Sequence, residues 1–107
     1  MQSIPIKAVA NQTLVVALNN QNCQLNVYQK STGIFVDLYK DNALIIAGVL
    51  ARNLRLIVMG KYLGFSGDLV FFDNQGTRDP EYSGLGDRYS LFYILASEIP
   101  ANALYVG

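Results

Sequence analysis

Residue types that could do chemistry gather in one stretch, residues 76–94, which reads GTRDPEYSGLGDRYSLFYI. Gly84 and Gly86 could cradle a phosphate on their backbone amides. That chemistry needs a strand before the glycines and a helix N-terminus after them. The residues after Arg88 are aromatic and apolar in a strand pattern, so a phosphate would meet no helix. Asp79, Glu81 and Asp87 could hold a hard cation or work as an acid–base pair. Their spacing does not fit a calcium-binding helix–loop–helix, and Arg78 and Arg88 stand among them to neutralise them. Ion pairs and turn caps are the simpler reading. Nucleophilic catalysis has little to draw on: the chain has no histidine, and its one cysteine, Cys23, has no imidazole to activate it. Cys23 lies in an alternating pattern that suits a small buried hydrophobe. Asn11-Gln12-Thr13 matches a glycosylation sequon and is read as chance. The sequence therefore predicts no catalytic residue, no bound metal and no cofactor.

The elements around that stretch read as strands. Thr13–Leu18 is β-branched and apolar. Asn19-Asn20-Gln21-Asn22 is a turn, because asparagine tolerates positive φ and makes side-chain turns. Cys23, Leu25 and Val27 alternate with Gln24, Asn26 and Tyr28, as in a strand with one buried face. Lys30–Gly33 turns again. Ile34, Val36 and Leu38 alternate with Phe35, Asp37 and Tyr39, Lys40–Asn42 turns, and Ala43–Val49 reads as a fourth strand. Leu54–Met59 predicts a short strand or an extended loop, with Gly60, Gly64 and Gly67 interrupting the residues after it. Asp68–Asp73 and Arg88–Ala96 are the last strands. The expected fold is mainly β, a small antiparallel barrel or sandwich of six or seven strands. It is expected to form one domain over residues 1–107, with 97–107 as a tail.

Composition bounds the partners. Of 107 residues, 51% are hydrophobic and only 15% charged, with no net charge, against about 25% charged in an average chain. No basic face is visible, which argues against nucleic acid and anionic lipid. The most apolar run, Ala43–Val58, is broken by Arg52, Asn53 and Arg55 before the roughly 20 residues a membrane helix needs. The N-terminus lacks the pattern of a signal peptide, and synthesis in a cytoplasm is expected. Few charges on a small domain, together with seven tyrosines, predict surface given over to assembly. The candidate contact is Met59–Gly67 (MGKYLGFSG), with Tyr62, Leu63 and Phe65 as anchors and glycines that let another backbone approach. The exposed edge of a meander strand is a second candidate.

The order of segments adds a resemblance. It rests on an early NQT before a strand, an apolar strand ending in AG, the YLGF-G-L segment, and a late LGDR leading into a hydrophobic strand. Together these cover Ile4 to Leu95. They resemble a family of baseplate plug proteins of contractile-tailed phages, of the cyanophage type. The resemblance implies a structural part of the virion tail, at the junction of hub and tube, that is not an enzyme. Its implied partners are hub, tube or tube-initiator proteins. It also implies a homo-oligomer, a trimer before a hexamer, since phage tails join a trimeric hub to a hexameric tube. Gly84, Gly86, Asp87 and Arg88 would then be loop architecture, with Asp87 and Arg88 fixing the bend. Residues 98–107 do not follow the family pattern. A small binding module for peptide or carbohydrate, using the aromatic loops, is the alternative function.

Overall fold

A computed structural model of the chain describes residues 2–59 and 64–98. Seven strands form two antiparallel sheets: β1 (Gln2–Ile4), β2 (Asn11–Leu18), β3 (Gln21–Lys30), β4 (Gly33–Lys40), β5 (Ala43–Leu50), β6 (Asp68–Asp73) and β7 (Tyr89–Ile94). The first sheet has the order β1-β7-β6 and the second β2-β3-β4-β5. The sheets do not close on one another, so the architecture is the sandwich and not the barrel.

The meander β2–β5 follows from local chemistry. Asn19 and Asn20 both take positive φ (51 and 62°), as do Asp41 and Asn42 (49 and 67°). These are two-residue hairpin turns whose twist matches the strands they join. The turns are tighter than the four- and three-residue stretches that signalled them, so β3 starts at Gln21 and β4 runs on to Lys40. Between the turns every second residue faces inward: Cys23, Leu25 and Val27 of β3 and Ile34, Val36 and Leu38 of β4 are at most 1% exposed. They meet Leu69 and Phe71 of β6 and Leu91 and Tyr93 of β7 in one hydrophobic cluster shared by both sheets.

One element was not expected, and one expectation is narrowed. β1 went unrecognised; it pairs Gln2–Ile4 with Leu91–Tyr93 at the far end of the chain. Of the two readings for Leu54–Met59, the loop holds and the strand does not. Leu54 and Met59 take positive φ (60 and 51°), which breaks any ladder. The loop runs along β6 instead, with an Asn53–Phe71 bridge and bonds from Leu54 N–H to Phe71 C=O and Ile57 N–H to Leu69 C=O. It covers the outer edge of β6.

Candidate assembly site

The GLGDR bend is built from its own backbone. The N–H of Gly84 donates to Glu81 C=O, Leu85 to Tyr82, Gly86 to Tyr89 and Asp87 to Gly84. All four amides that a phosphate would need are engaged within the loop. Leu85 is 2% exposed and belongs to the core. Gly86 sits at φ +82°, and a Cβ there would lie 2.4 Å from the Ile6 carbonyl oxygen. This glycine is required both by the left-handed backbone and by the close approach of the β1–β2 connection.

The partner of Arg88 corrects the sequence reading. Its guanidinium clasps Asp73, not Asp87, with Nε at 2.8 Å from Oδ1 and Nη2 at 2.9 Å from Oδ2. The antiparallel register sets Asp73 opposite Tyr89 and so beside Arg88. Asp73 also accepts from Gln75 N–H and Arg78 N–H. Asp87 contributes backbone alone: its N–H to Gly84 and its C=O to Asn74 Nδ2. The Arg88 hydrogen bonds, with those two amides, outweigh burial and hold the Asp73 carboxyl well below the usual carboxylate range. A depressed carboxyl contributes stability above its unfolded value, about pH 4, and loses that contribution as pH falls through its folded value. In Arg88→Met the depressing group is gone. The urea midpoint of the variant should lie far below wild type at pH 7, and the gap should narrow as pH drops below about 4. A gap independent of pH between 7 and 2.5 (roughly the span of the carboxylate titration) would assign the pair no such role.

The remaining carboxylates of the stretch are dispersed. Asp79 accepts from Asn53 N–H at 3.0 Å and lies 3.5 Å from Arg52. Glu81 and Asp87 are exposed. Among the described residues no three metal-ligating side chains converge. Cys23 is 1% exposed, and burial pushes its thiol above the ordinary value, away from thiolate chemistry.

The outer face of the four-stranded sheet carries a hydrogen-bonded side-chain ladder. Thr13 Oγ1 donates to Asn26 Oδ1, Asn26 Nδ2 to Asp37 Oδ2, and Tyr28 OH and Gly48 N–H to Asp37 Oδ1. One carboxylate thus ties β3, β4 and β5 together, and Asn26 carries the network on to β2. Burial opposes its charge, but the bonds from Gly48, Tyr28 and Asn26 prevail and keep its carboxyl below the usual value. Gly48, at φ +66°, lies in the bulged half of β5 that brings its amide to Asp37. Beside this ladder Tyr28 stacks on Phe35, ring centres 6.0 Å apart. In the next row the register lines up Val15, Gln24, Tyr39 and Leu44, and its two ends, Val15 and Leu44, are 71% and 55% exposed. The sequence held this signal. Val15 and Leu44 are apolar residues in the outward phase of their strands, visible once the turns fix the register.

Of the anchors expected at Met59–Gly67, Tyr62 and Leu63 lie outside the described residues. Phe65 is not an exposed anchor. It is 3% exposed and packs edge-on against Tyr93, ring centres 5.8 Å apart. Around it, Gln21 Nε2 donates to Ser66 C=O, Ser66 N–H donates to Gln21 Oε1, and Lys40 donates to Gly64 C=O. A cleft of about 320 Å³ opens here between Gln21, Lys40 and residues 64–67. Phe65 therefore pins this segment from inside.

A search of curated proteins returns no match. A family model described as "Cyanophage baseplate Pam3 plug gp18" matches residues 1–96, nine-tenths of the chain.

Proposed function

The chain belongs to the cyanophage baseplate plug family, and from that premise we propose that it is a structural plug at the hub–tube junction of a phage tail, acting by assembly and not by catalysis. The family match over residues 1–96 carries this reading. The chemistry of the described residues supports it: the glycine loop spends its amides on its own backbone and the cysteine is buried. The partners are hub, tube or tube-initiator proteins. The oligomer is cyclic, a trimer before a hexamer, and so joins two different patches head to tail. One patch is the outer sheet face with Val15 and Leu44. The other is the segment that Phe65 roots in the core, with Tyr62 and Leu63 making the contact.

Incorporation tests the reading. Wild-type chain should copurify with assembled tails in fixed proportion to the hub. A Tyr62→Ala, Leu63→Ala double variant should keep wild-type stability and be incorporated roughly tenfold less or worse, as for loss of an interface hot spot. Incorporation of this variant at the wild-type level would remove the segment from the interface.

A further inference from the structure

The edges of the two sheets are protected unequally. The outer edge of β6 is covered by residues 53–57, and β1 is three residues long. The long edges are β2 and β5, the two sides of the four-stranded sheet. Neither NQTLVVAL nor ALIIAGVL holds a charge or a proline, the residues that blunt an edge against pairing.

Hairpin geometry sets the direction of the backbone groups. Leu18 with Gln21, and Lys40 with Ala43, flank two-residue turns and are bonded pairs; the bonding then alternates along each ladder. The N–H and C=O groups of Thr13, Val15 and Leu44 therefore point away from their own sheet. Among the described residues no backbone group pairs with them. The Ala17 carbonyl is taken by Gln2 Nε2 at 3.2 Å, so the open part of β2 is its middle. β5 shifts register twice, and both shifts fall between Leu44 and Val49. They bend the strand, as curvature into a ring requires, and leave regular pairing at its two ends.

The core thins towards both edges, because four strands lie over three. Leu14 and Val16 of β2, and Ile46 and Val49 of β5, pack on the core yet stay partly exposed. None of the eight residues of β5 is buried. Each edge thus offers open backbone groups beside uncovered apolar side chains, a template for another strand.

The two edges fit each other. In an antiparallel sheet of four strands the first and last run in opposite directions. A second copy, turned about an axis along the strands, therefore presents its β2 antiparallel to the first copy's β5, with matching faces on the same side. The inner residues Ile46 and Val49 then meet Leu14 and Val16, and the exposed Leu44 and Val15 come onto one outer face. No charge on either strand opposes the join. Pairing β2 with β2 would leave β5 open. The head-to-tail join uses both edges and stops when the ring closes.

We infer that β5 of one copy pairs antiparallel with β2 of the next, so that the four-stranded sheets of successive copies run on into one ring. This rests on the cyclic assembly proposed above and supplies the backbone seam that joins it. Two edge-blocked variants test it by sedimentation velocity on the purified full chain. Val15→Pro removes an outward N–H from β2 and Leu44→Pro removes one from β5; neither takes a bond from the sheet itself. Val15→Lys and Leu44→Lys, at exposed side chains, replace them if a proline variant loses its cooperative urea transition. Wild type should sediment as a closed oligomer. Each blocked variant alone should associate about tenfold more weakly or worse. An equimolar mixture of the two should form a one-to-one pair and nothing larger, since one partner keeps β5 and the other keeps β2. A monomeric wild type, a mixture that stays monomeric, or a single variant that assembles as wild type overturns the inference. A Leu44 variant that dimerises alone also overturns it, because its intact β2 then pairs with itself. Wild-type chain found in tails although these associations fail would remove the seam and keep the tail role; the reverse result would remove the tail role and keep the seam.

Discussion

Replacing Asp68 with alanine should cost about 3–5 kcal/mol, a large part of the roughly 5–15 kcal/mol that holds a small domain together. Asp68 opens β6, is fully buried, and stands where the loop from β5 crosses to the first sheet. Its Oδ1 accepts from Ile57, Val58 and Leu69 N–H at 2.9, 2.8 and 2.6 Å, and its Oδ2 accepts from Met59 N–H at 2.8 Å. Ile57 N–H also reaches Leu69 C=O, so three amides depend on the carboxylate alone. Each orphaned buried donor costs about 1–3 kcal/mol, less where water can enter, and Met59 lies near the surface. Hydrogen bonds are not the whole loss. Leu54 and Met59 hold left-handed backbone, which a non-glycine residue adopts at a cost of about 1–2 kcal/mol. The carboxylate is what holds the loop in that shape, with Ile57 and Val58 pressed into the core. Asp68→Asn separates charge from geometry. Its carbonyl can still take three donors, but its amide then faces the Met59 N–H, donor against donor. Its loss should be about half that of alanine. Guanidinium denaturation monitored by tyrosine fluorescence gives both values. An alanine variant within about 1 kcal/mol of wild type would show that the loop is held by something other than this carboxylate.

The second large effect is expected at Gly86. A methyl group there meets the Ile6 carbonyl at 2.4 Å while φ stays at +82°. Neither part can relax cheaply. The opposing atom is backbone, and the residue is fixed by its own bond to Tyr89 C=O. Left-handed strain of about 1–2 kcal/mol plus displacement of the β1–β2 connection should bring Gly86→Ala to about 3 kcal/mol or more. Gly48 is the control. It too has positive φ (+66°), but a Cβ there meets nothing within 4 Å. Gly48→Ala should therefore cost about 1–2 kcal/mol, the strain alone. Equal losses at the two sites would mean that the close approach to Ile6 contributes nothing.

These two sites show which parts of the fold were legible in the sequence. The meander from β2 to β5 was, because its information is local: alternation with period two, punctuated by Asn19-Asn20 and Asp41-Asn42 in a conformation those residues tolerate. β1 was not legible. Three residues make too short a pattern, and their partner lies at the far end of the chain. The 53–59 segment was legible as strand or loop, but its shape was not. Its left-handed residues are leucine and methionine, types that give no turn signal, and their conformation is imposed by a carboxylate nine or more residues away. Arg88 is an intermediate case. Its nearest acid in sequence is Asp87, yet pairing DLVFFD against YSLFYI places Asp73 beside it. Working out that register would have found the partner. The proposed contact surfaces were legible in kind but not in place. Low charge pointed to contact surfaces, whereas Phe65 proved to be core and the outer face of β2–β5 emerged only from the register.

Whether this sandwich is a fixed part of a phage tail can be seen by cryo-electron microscopy of tails purified from the phage that encodes the chain. Quantitative mass spectrometry of the same preparation supplies its copy number. A seven-stranded sandwich should stand at the junction of hub and tube, in a multiple of three copies, with the Val15–Leu44 face against a neighbouring subunit. Tails that assemble normally and contain none of this chain would refute the structural role.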